Sequence, residues 1–162
     1  MERIFFILFG AIATGGAIMV VTRRHPMASA LYLILTLFAV AALFVLRQAH
    51  FLAAIQVIIY AGAVVVLFIF VIMLINVPED RLPVERATAL RVIGVVAAGL
   101  LILESAVIAR RFGMPRLPAA DSGSVEAVGR ALFTDYLLAF EVTSVLLLAA
   151  VIGAIALAKR KA

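Results

Sequence analysis

The sequence predicts an all-α integral membrane protein with five transmembrane helices, and two observations carry that prediction. Of its 162 residues, 67% are hydrophobic and only 14% are charged, whereas a soluble domain is about half apolar and about a quarter charged. The apolar residues also fall in long unbroken runs, unlike the alternating segments of about ten residues in outer-membrane barrels. Because such runs can satisfy their backbone hydrogen bonds in lipid only as helices, membrane-spanning helices are expected.

Five apolar runs predict the five spans, and helix-ending residues separate them. The basic pair Arg23-Arg24 follows the first run. Pro26 suits the first turn of the next helix because its missing N–H costs little there. Pro78 stops the third run. The predicted spans are residues 4–21, 27–46, 51–75, 88–109 and 136–158.

Two connections are longer than simple turns. Residues 76–87 mix charges with prolines and are predicted to be an irregular loop. Residues 110–135 are predicted to form an outer loop, and their first half is rich in glycine and proline, which favours coil. In the second half, Val125, Val128 and Leu132 follow at helical spacing and predict a short interfacial helix leading into the fifth span.

The placement of basic residues predicts the orientation. A cleaved signal peptide is the alternative for the first span, but Arg23-Arg24 follows the apolar run instead of preceding it, so retention is expected. Five spans put the two termini on opposite sides. The short basic first connection and the tail Lys159-Arg160-Lys161 favour the cytoplasmic side, which predicts an N-out, C-in topology.

Several classes of function are disfavoured by composition. The chain has no cysteine, which removes disulfides and thiolate-bound iron–sulfur clusters. Its two histidines, His25 and His50, lie at the ends of apolar runs that place them on opposite membrane faces, so they cannot share a metal. The net charge of +5 comes from residues between apolar runs, a topology pattern and not a nucleic-acid groove. No cofactor, metal or nucleic acid is therefore expected in this chain, and the lipid bilayer is its first partner.

Two carboxylates lie inside predicted spans. Glu104 and Glu141 are each about five residues from the outer end of their span, so both are expected roughly 7 Å below the outer boundary. A carboxylate at such depth costs about 3 kcal/mol or less on insertion scales, so neither should face lipid. They are either proton-relay groups or snorkelling side chains satisfied by Arg110, Arg111 or a hydroxyl such as Ser105. No ionisable chain crosses the whole membrane, so the protein is expected to supply part of a proton path at most.

The third span combines polar and flexible residues. Gln56, Tyr60 and Gly62 fall within two turns of each other, in an apolar run of 25 residues over residues 51–75. A straight α-helix of that length measures about 37 Å, against a hydrocarbon core of about 30 Å. Tilt explains the excess, and a π-bulge, which inserts one residue, is the alternative. Glycine lowers the cost of such a distortion.

Two stretches of the chain closely resemble a known family. HPMASALYLILTLFAVAALFVL and the following FLAAIQVIIYAGAVVVLFIFVIMLIN are similar to subunit J of bacterial respiratory complex I, the NADH–quinone oxidoreductase subunit that matches mitochondrial subunit 6. The hallmark is the Tyr-Ala-Gly-Ala stretch, here residues 60–63, inside an apolar third span. The resemblance is strong over residues 25–76 and 128–158 and weaker over the first and fourth spans.

The resemblance implies a five-span subunit of the enzyme's membrane arm, in the bacterial inner membrane, with no active site or redox cofactor of its own. FMN, iron–sulfur clusters and quinone are then expected in partner subunits, and membrane subunits of the A, H, K and N types are the expected partners. In this family the third span can carry a π-bulge and rotates between π-bulged and regular forms, which is linked to a water path. Tyr60, Gly62, Val65 and Phe68 are the implied coupling residues.

The resemblance treats the polar candidates differently. Gln56 marks a place where some relatives have glutamate, Glu141 matches the family's last-span glutamate, and Glu104 has no counterpart. The leading hypothesis is therefore a non-catalytic subunit that helps couple quinone reduction to proton translocation. Two alternatives remain: a subunit of a multisubunit cation/proton antiporter and a scaffold in another membrane complex.

Overall fold

The computed structural model describes residues 1–75, 87–112 and 123–159, and these residues form helices with no strand among them. Five helices are long and apolar enough to cross a membrane, so the predicted five-span, all-α fold is confirmed. The elements are α1 (Glu2–Thr22), α2 (Pro26–Leu46), α3 (His50–Ile55), a π-helical segment (Gln56–Val64), α4 (Val65–Ile75), α5 (Ala87–Phe112), α6 (Val125–Phe133) and α7 (Leu137–Ala158).

The third span is continuous from His50 to Ile75 and consists of α3, the π-helical segment and α4. The loop predicted over residues 76–87 lies outside the described residues except for Ala87, which begins α5, and residues 113–122 of the predicted coil lie outside them as well. The short helix predicted from Val125, Val128 and Leu132 is present as α6. Ser124 caps α6, since its hydroxyl oxygen accepts a hydrogen bond from the backbone N–H of Ala127 at 3.2 Å.

Helices α1 and α2 pack along each other and are closed at one end by a short connection. The Arg23 guanidinium lies 5.3 Å from the centre of the Tyr32 ring, and it donates a hydrogen bond of 3.3 Å to the Tyr32 hydroxyl. Pro26 occupies the first turn of α2, as expected. The connection is therefore held to the side of α2 by a cation–π contact as well as by its backbone.

The closest approach of α1 to α2 occurs at Gly16, the buried residue of α1. A Cβ added there would overlap the Thr36 hydroxyl and lie 3.5 Å from the Tyr32 carbonyl oxygen. The Thr36 hydroxyl is itself held, because it donates to that same carbonyl oxygen at 2.9 Å. Absence of a side chain at Gly16 thus permits the contact between the two backbones.

Replacing Gly16 with valine should separate α1 from α2 and destabilise the protein by about 1–3 kcal/mol, the usual range for overpacking. A thermal unfolding curve of the detergent-purified protein would report the loss as a lower midpoint. The matched control is Gly15→Val, since nothing lies within 4 Å of a Cβ added at Gly15. Equal midpoints for the two variants would contradict the assignment of Gly16 as the contact.

The turn between α2 and α3 is a Schellman motif. The backbone N–H of Ala49 donates to the Phe44 carbonyl oxygen at 3.0 Å, and that of Gln48 donates to the Val45 carbonyl oxygen at 2.9 Å. Gln48 has φ 60°, the left-handed conformation that this motif requires. The stretch entering α6 rests on this turn, because a Cβ added at Gly123 would lie 2.6 Å from the Ala49 Cα.

Burial within the chain is concentrated on α2 and the third span. The buried residues of this seam are Ala30, Ala39, Ala41, Ala53, Ala61 and Val65. Five of these six are alanine, so small side chains let α2 lie between α1 and the third span at close range. By contrast, no residue is buried in the span windows Val92–Arg111 and Leu137–Ala158. Those two helices offer nearly their whole surface to lipid or to other proteins.

Candidate functional site: a π-helical segment in the third span

The third span contains a nine-residue π-helical segment, Gln56–Val64. It includes the three residues that the sequence singled out, Gln56, Tyr60 and Gly62. At its end the backbone N–H of Val65 is shared between the carbonyl oxygens of Tyr60 and Gly62, five and three residues back, before α4 continues with regular helix. A π-helix bonds each N–H five residues back instead of four, is rare, and is frequently found at functional sites.

Gly62 meets only its own helix. A Cβ added there would lie 3.4 Å from the Val57 carbonyl oxygen, five residues back, and within 4 Å of no other atom outside the neighbouring backbone. Close packing against a second helix of the described chain therefore does not explain this glycine. The first atom that a side chain at this position would meet is the Val57 carbonyl oxygen of its own π-helical segment.

The π-helical segment sets which face of α4 meets α2. Ala53, before the segment, and Val65, after it, are both buried, at 6% and 1% exposure. At about 100° per residue, twelve residues of regular α-helix would leave these two side chains about 120° apart. One inserted residue removes about 100° of that difference and brings both onto the α2 side. The distortion is thus required for the observed packing.

A regular α-helix would present a different set of side chains to α2. Removing one inserted residue moves every later side chain one step along the helix, so that residue n takes the place of residue n+1. The set now facing α2 is Ala61, Val65 and Ile69, which are buried or half-buried. The set that would replace it is Tyr60, Val64 and Phe68, now 52%, 50% and 46% exposed.

The side chains that would face α2 in the regular form are larger than those that face it now at two of the three positions. Val64 for Val65 is a like-for-like exchange, but Tyr60 for Ala61 and Phe68 for Ile69 replace smaller side chains with larger ones. Facing α2 they would collide with a surface of alanines packed at close range. The regular form therefore requires α2 and the third span to move apart. In such a regular form Tyr60 and Phe68 would face α2, and Val65 would turn away from it.

Most of the described hydroxyl groups inside the spans form hydrogen bonds within their own helix. Six serine and threonine hydroxyls on α1, α2, α5 and α7 donate to a carbonyl oxygen on their own helix. These are Thr14 to Gly10, Thr22 to Ile18, Thr36 to Tyr32, Ser105 to Leu101, Thr143 to Ala139 and Ser144 to Glu141. Such bonds leave no polar demand on the surroundings. The described hydrogen bonds include none from the side chains of Gln56, Tyr60, Glu104 and Glu141.

The four remaining polar side chains lie on three different spans. Gln56 is half-buried and Tyr60 exposed on the third span, while Glu104 on α5 and Glu141 on α7 are both exposed. Glu104 precedes the end of α5 by about 12 Å along the axis, and Glu141 follows the start of α7 by about 6 Å, at 1.5 Å per residue. The larger distance for Glu104 arises because α5 continues beyond residue 109, where the predicted span ends, so the expected depth of roughly 7 Å stays a prediction. The Ser105 hydroxyl, one of its expected partners, bonds Leu101 instead, at 2.7 Å.

No group of three or more histidine or carboxylate side chains in the described residues is arranged to hold a metal. The expectation that FMN, iron–sulfur clusters and quinone belong to partner subunits stays a prediction.

The sequence could not predict which face of the third span packs against α2, because Ala53 and Val65 fall on different faces at regular α spacing. The available signal was the row of small residues on α2.

Comparisons with known proteins agree over nearly the whole chain. The family model of NADH-ubiquinone/plastoquinone oxidoreductase chain 6 matches residues 16–157. The chain is 38% identical to NAD(P)H-quinone oxidoreductase chain 6 of Nostoc sp. strain PCC 7120, over 99% of this chain and 82% of the relative. It is 37% identical to NADH-quinone oxidoreductase subunit J of Rhodobacter capsulatus, over 96% and 80% of the two chains. The Escherichia coli K12 protein named NADH-quinone oxidoreductase subunit J is 36% identical, over 95% and 84%.

Proposed function

We infer the function from the family, since the chain belongs to the NADH-ubiquinone/plastoquinone oxidoreductase chain 6 family. The protein is a multi-pass, non-catalytic membrane subunit of an NADH–quinone oxidoreductase, and other subunits of that enzyme are its partners. The family assignment favours this function over the antiporter subunit and the scaffold that the sequence alone left open. We propose further that the chain lies in the membrane arm, in the bacterial inner membrane, beside subunits of the A, H, K and N types.

The proposed task of the chain is to help couple quinone reduction to proton translocation through its third span. The observation that carries this proposal is the π-helical segment Gln56–Val64, which holds Val65 against α2 while leaving Tyr60 and Phe68 outside the seam. Conversion to a regular helix would exchange the two sets of side chains and part α2 from the third span. A gap opened in this way admits water, and water is the carrier that a proton needs between ionisable groups of neighbouring subunits.

Thiol labelling tests the exchange directly. The chain has no cysteine, so a cysteine placed at residue 64 or 65 is its only thiol, and mass spectrometry of this chain reports its modification. We expect Val65→Cys to be shielded in resting enzyme and to react at least about tenfold faster during NADH-driven turnover, which corresponds to about 1.4 kcal/mol in the exposure equilibrium. Val64→Cys should show the opposite change. Labelling rates at both positions that do not change during turnover would contradict the exchange of Val64 and Val65.

The proposed topology is N-out and C-in, because the basic residues of the first connection and of the C-terminal tail favour the cytoplasm. A reporter enzyme that is active only in the cytoplasm should be active when fused after Ala162, and a periplasmic reporter should be inactive there. The matched fusion at Gln48, in the turn between α2 and α3, should behave in the opposite way. An active periplasmic reporter at the C-terminus would reverse the topology and place Glu104 and Glu141 near the inner face.

A further inference from the structure

Glu104 is the carboxylate in the described chain whose position is hardest to reconcile with a lipid neighbour. It lies on α5 (Ala87–Phe112), five residues before the predicted span end at residue 109, or roughly 7 Å along the axis. Its side chain is exposed, and none of the span window Val92–Arg111 is buried within the chain. An ionisable group at such depth is expected to face protein or water.

The Glu104 side chain cannot reach the membrane boundary by snorkelling. In an α-helix each Cα–Cβ bond tilts toward the N-terminus. On α5 that direction leads away from the nearer membrane boundary and into the bilayer. Glu141 has the opposite situation, because it follows the start of α7 and its side chain tilts toward the boundary that lies nearby.

Neither of the local partners suggested by the sequence is suited to Glu104. Arg110 and Arg111 are six and seven residues farther along α5, beyond the three- and four-residue spacings at which helical side chains meet. The Ser105 hydroxyl is already committed to the Leu101 carbonyl oxygen. The charge or acidic proton of Glu104 therefore needs a partner from outside the described chain.

We propose that the face of α5 bearing Glu104 is an interface with a transmembrane helix of another subunit, which presents a basic or hydrogen-bond-donating side chain at the depth of Glu104. Charge complementarity selects this occupant over lipid, since acyl chains offer the carboxylate no partner. The face is defined by Leu100, Glu104 and Ile108, which repeat at four-residue spacing. The proposal rests on the function proposed above only for the identity of the neighbouring protein.

Photo-crosslinking in the purified complex tests this interface. Leu100, Ile108 and Ile102 are 60%, 50% and 71% exposed within the chain, so any difference among them must come from another molecule. A benzophenone side chain placed at residue 100 or 108 should cross-link to a membrane helix of a partner subunit, identified by mass spectrometry. The control position is Ile102, on the opposite face, which should give a severalfold lower yield of protein cross-links. Lipid adducts alone at residues 100 and 108 would overturn the proposal.

A pair of substitutions provides an independent measure. Glu104→Leu makes α5 more apolar and so cannot impair membrane insertion. At an interface the substitution leaves the partner's polar group without a hydrogen-bond partner. The amount of chain retained in the purified complex should then fall severalfold. Glu104→Gln keeps a hydrogen-bonding side chain and should retain close to the original amount. Unchanged or increased retention of Glu104→Leu would show that the residue faces lipid and would refute the interface.

The outcomes separate this inference from the proposed function. A cross-linked helix from a protein outside any NADH-oxidising complex would refute the proposed function and leave the interface standing. Failure to cross-link, in a complex that contains the expected flavoprotein and iron–sulfur subunits, would refute the interface and leave the function standing.

Discussion

Gly62→Val is expected to leave the oxidoreductase assembled but poorly coupled. In the π-helical form, a Cβ at residue 62 already lies 3.4 Å from the Val57 carbonyl oxygen, and the branched side chain of valine adds two further methyl groups beside it. A regular α-helix accepts valine at a small cost. The substitution should therefore disfavour the π form, and a bias of about 1.4 kcal/mol is enough to change the ratio of the two forms about tenfold.

The measurement separates coupling from catalysis. NADH oxidation with an artificial electron acceptor depends on the peripheral subunits and should stay near the original rate. Proton translocation coupled to quinone reduction, followed as acidification across sealed vesicles, should fall severalfold. Ala63→Val is the matched control, because it adds the same β-branched side chain to the same segment at a residue that is already exposed and already carries a Cβ.

Two other outcomes have distinct meanings. If the Gly62→Val enzyme does not assemble, packing of the third span is the better account of Gly62, and a pivot role is not supported. If the variant assembles and pumps normally, the pivot role proposed for this glycine is wrong. A deficit shared equally by Ala63→Val would assign the effect to crowding on that surface instead of to the helix geometry.

The sequence was sufficient for the number of spans, whereas spacing alone favoured tilt over a π-bulge for the long third run. Long apolar runs separated by Arg23-Arg24 and by proline leave few alternatives to five helices. Within the third run, Tyr60 and Gly62 are out of place in an otherwise aliphatic helix, and the resemblance to a known family pointed to the same stretch. The α2–α3 turn was harder to foresee, because Gln48 takes a left-handed conformation in which glycine would be the ordinary choice.

The partner faces of the helices could not be predicted, for a physical reason. In a water-soluble helix, polar residues mark the outside, whereas in these spans nearly every side chain is apolar and lipid is as apolar as the protein interior. Gly15 and Gly16 look alike in sequence, yet only Gly16 touches α2. The seam between α2 and the third span adds a second difficulty, since the π-helical segment breaks the 3.6-residue period on which facial assignments depend.

Removing one residue from the π-helical segment is expected to fix the third span in a single form. If that segment holds one residue more than a regular helix needs, deletion of Ile58 lets it become α-helical while Ala53, Ala61 and Val65 all still face α2. Ile58 is 69% exposed, so its side chain contributes little to packing within the described chain. The shortened chain should assemble, because its seam with α2 is preserved, but it has no surplus residue with which to form the π-turn again.

Deletion of Ile58 should therefore abolish the exchange of Val64 and Val65 and reduce coupled proton translocation more severely than Gly62→Val, with NADH oxidation by the peripheral subunits retained. The contrasting control is deletion of Leu67, which is 64% exposed and lies in regular helix. That deletion turns Ile69 and Ile72 about 100° away from α2 and should impair assembly itself. Normal pumping by the Ile58-deleted enzyme would show that the π-helical segment is a fixed packing feature and that coupling does not pass through its conversion.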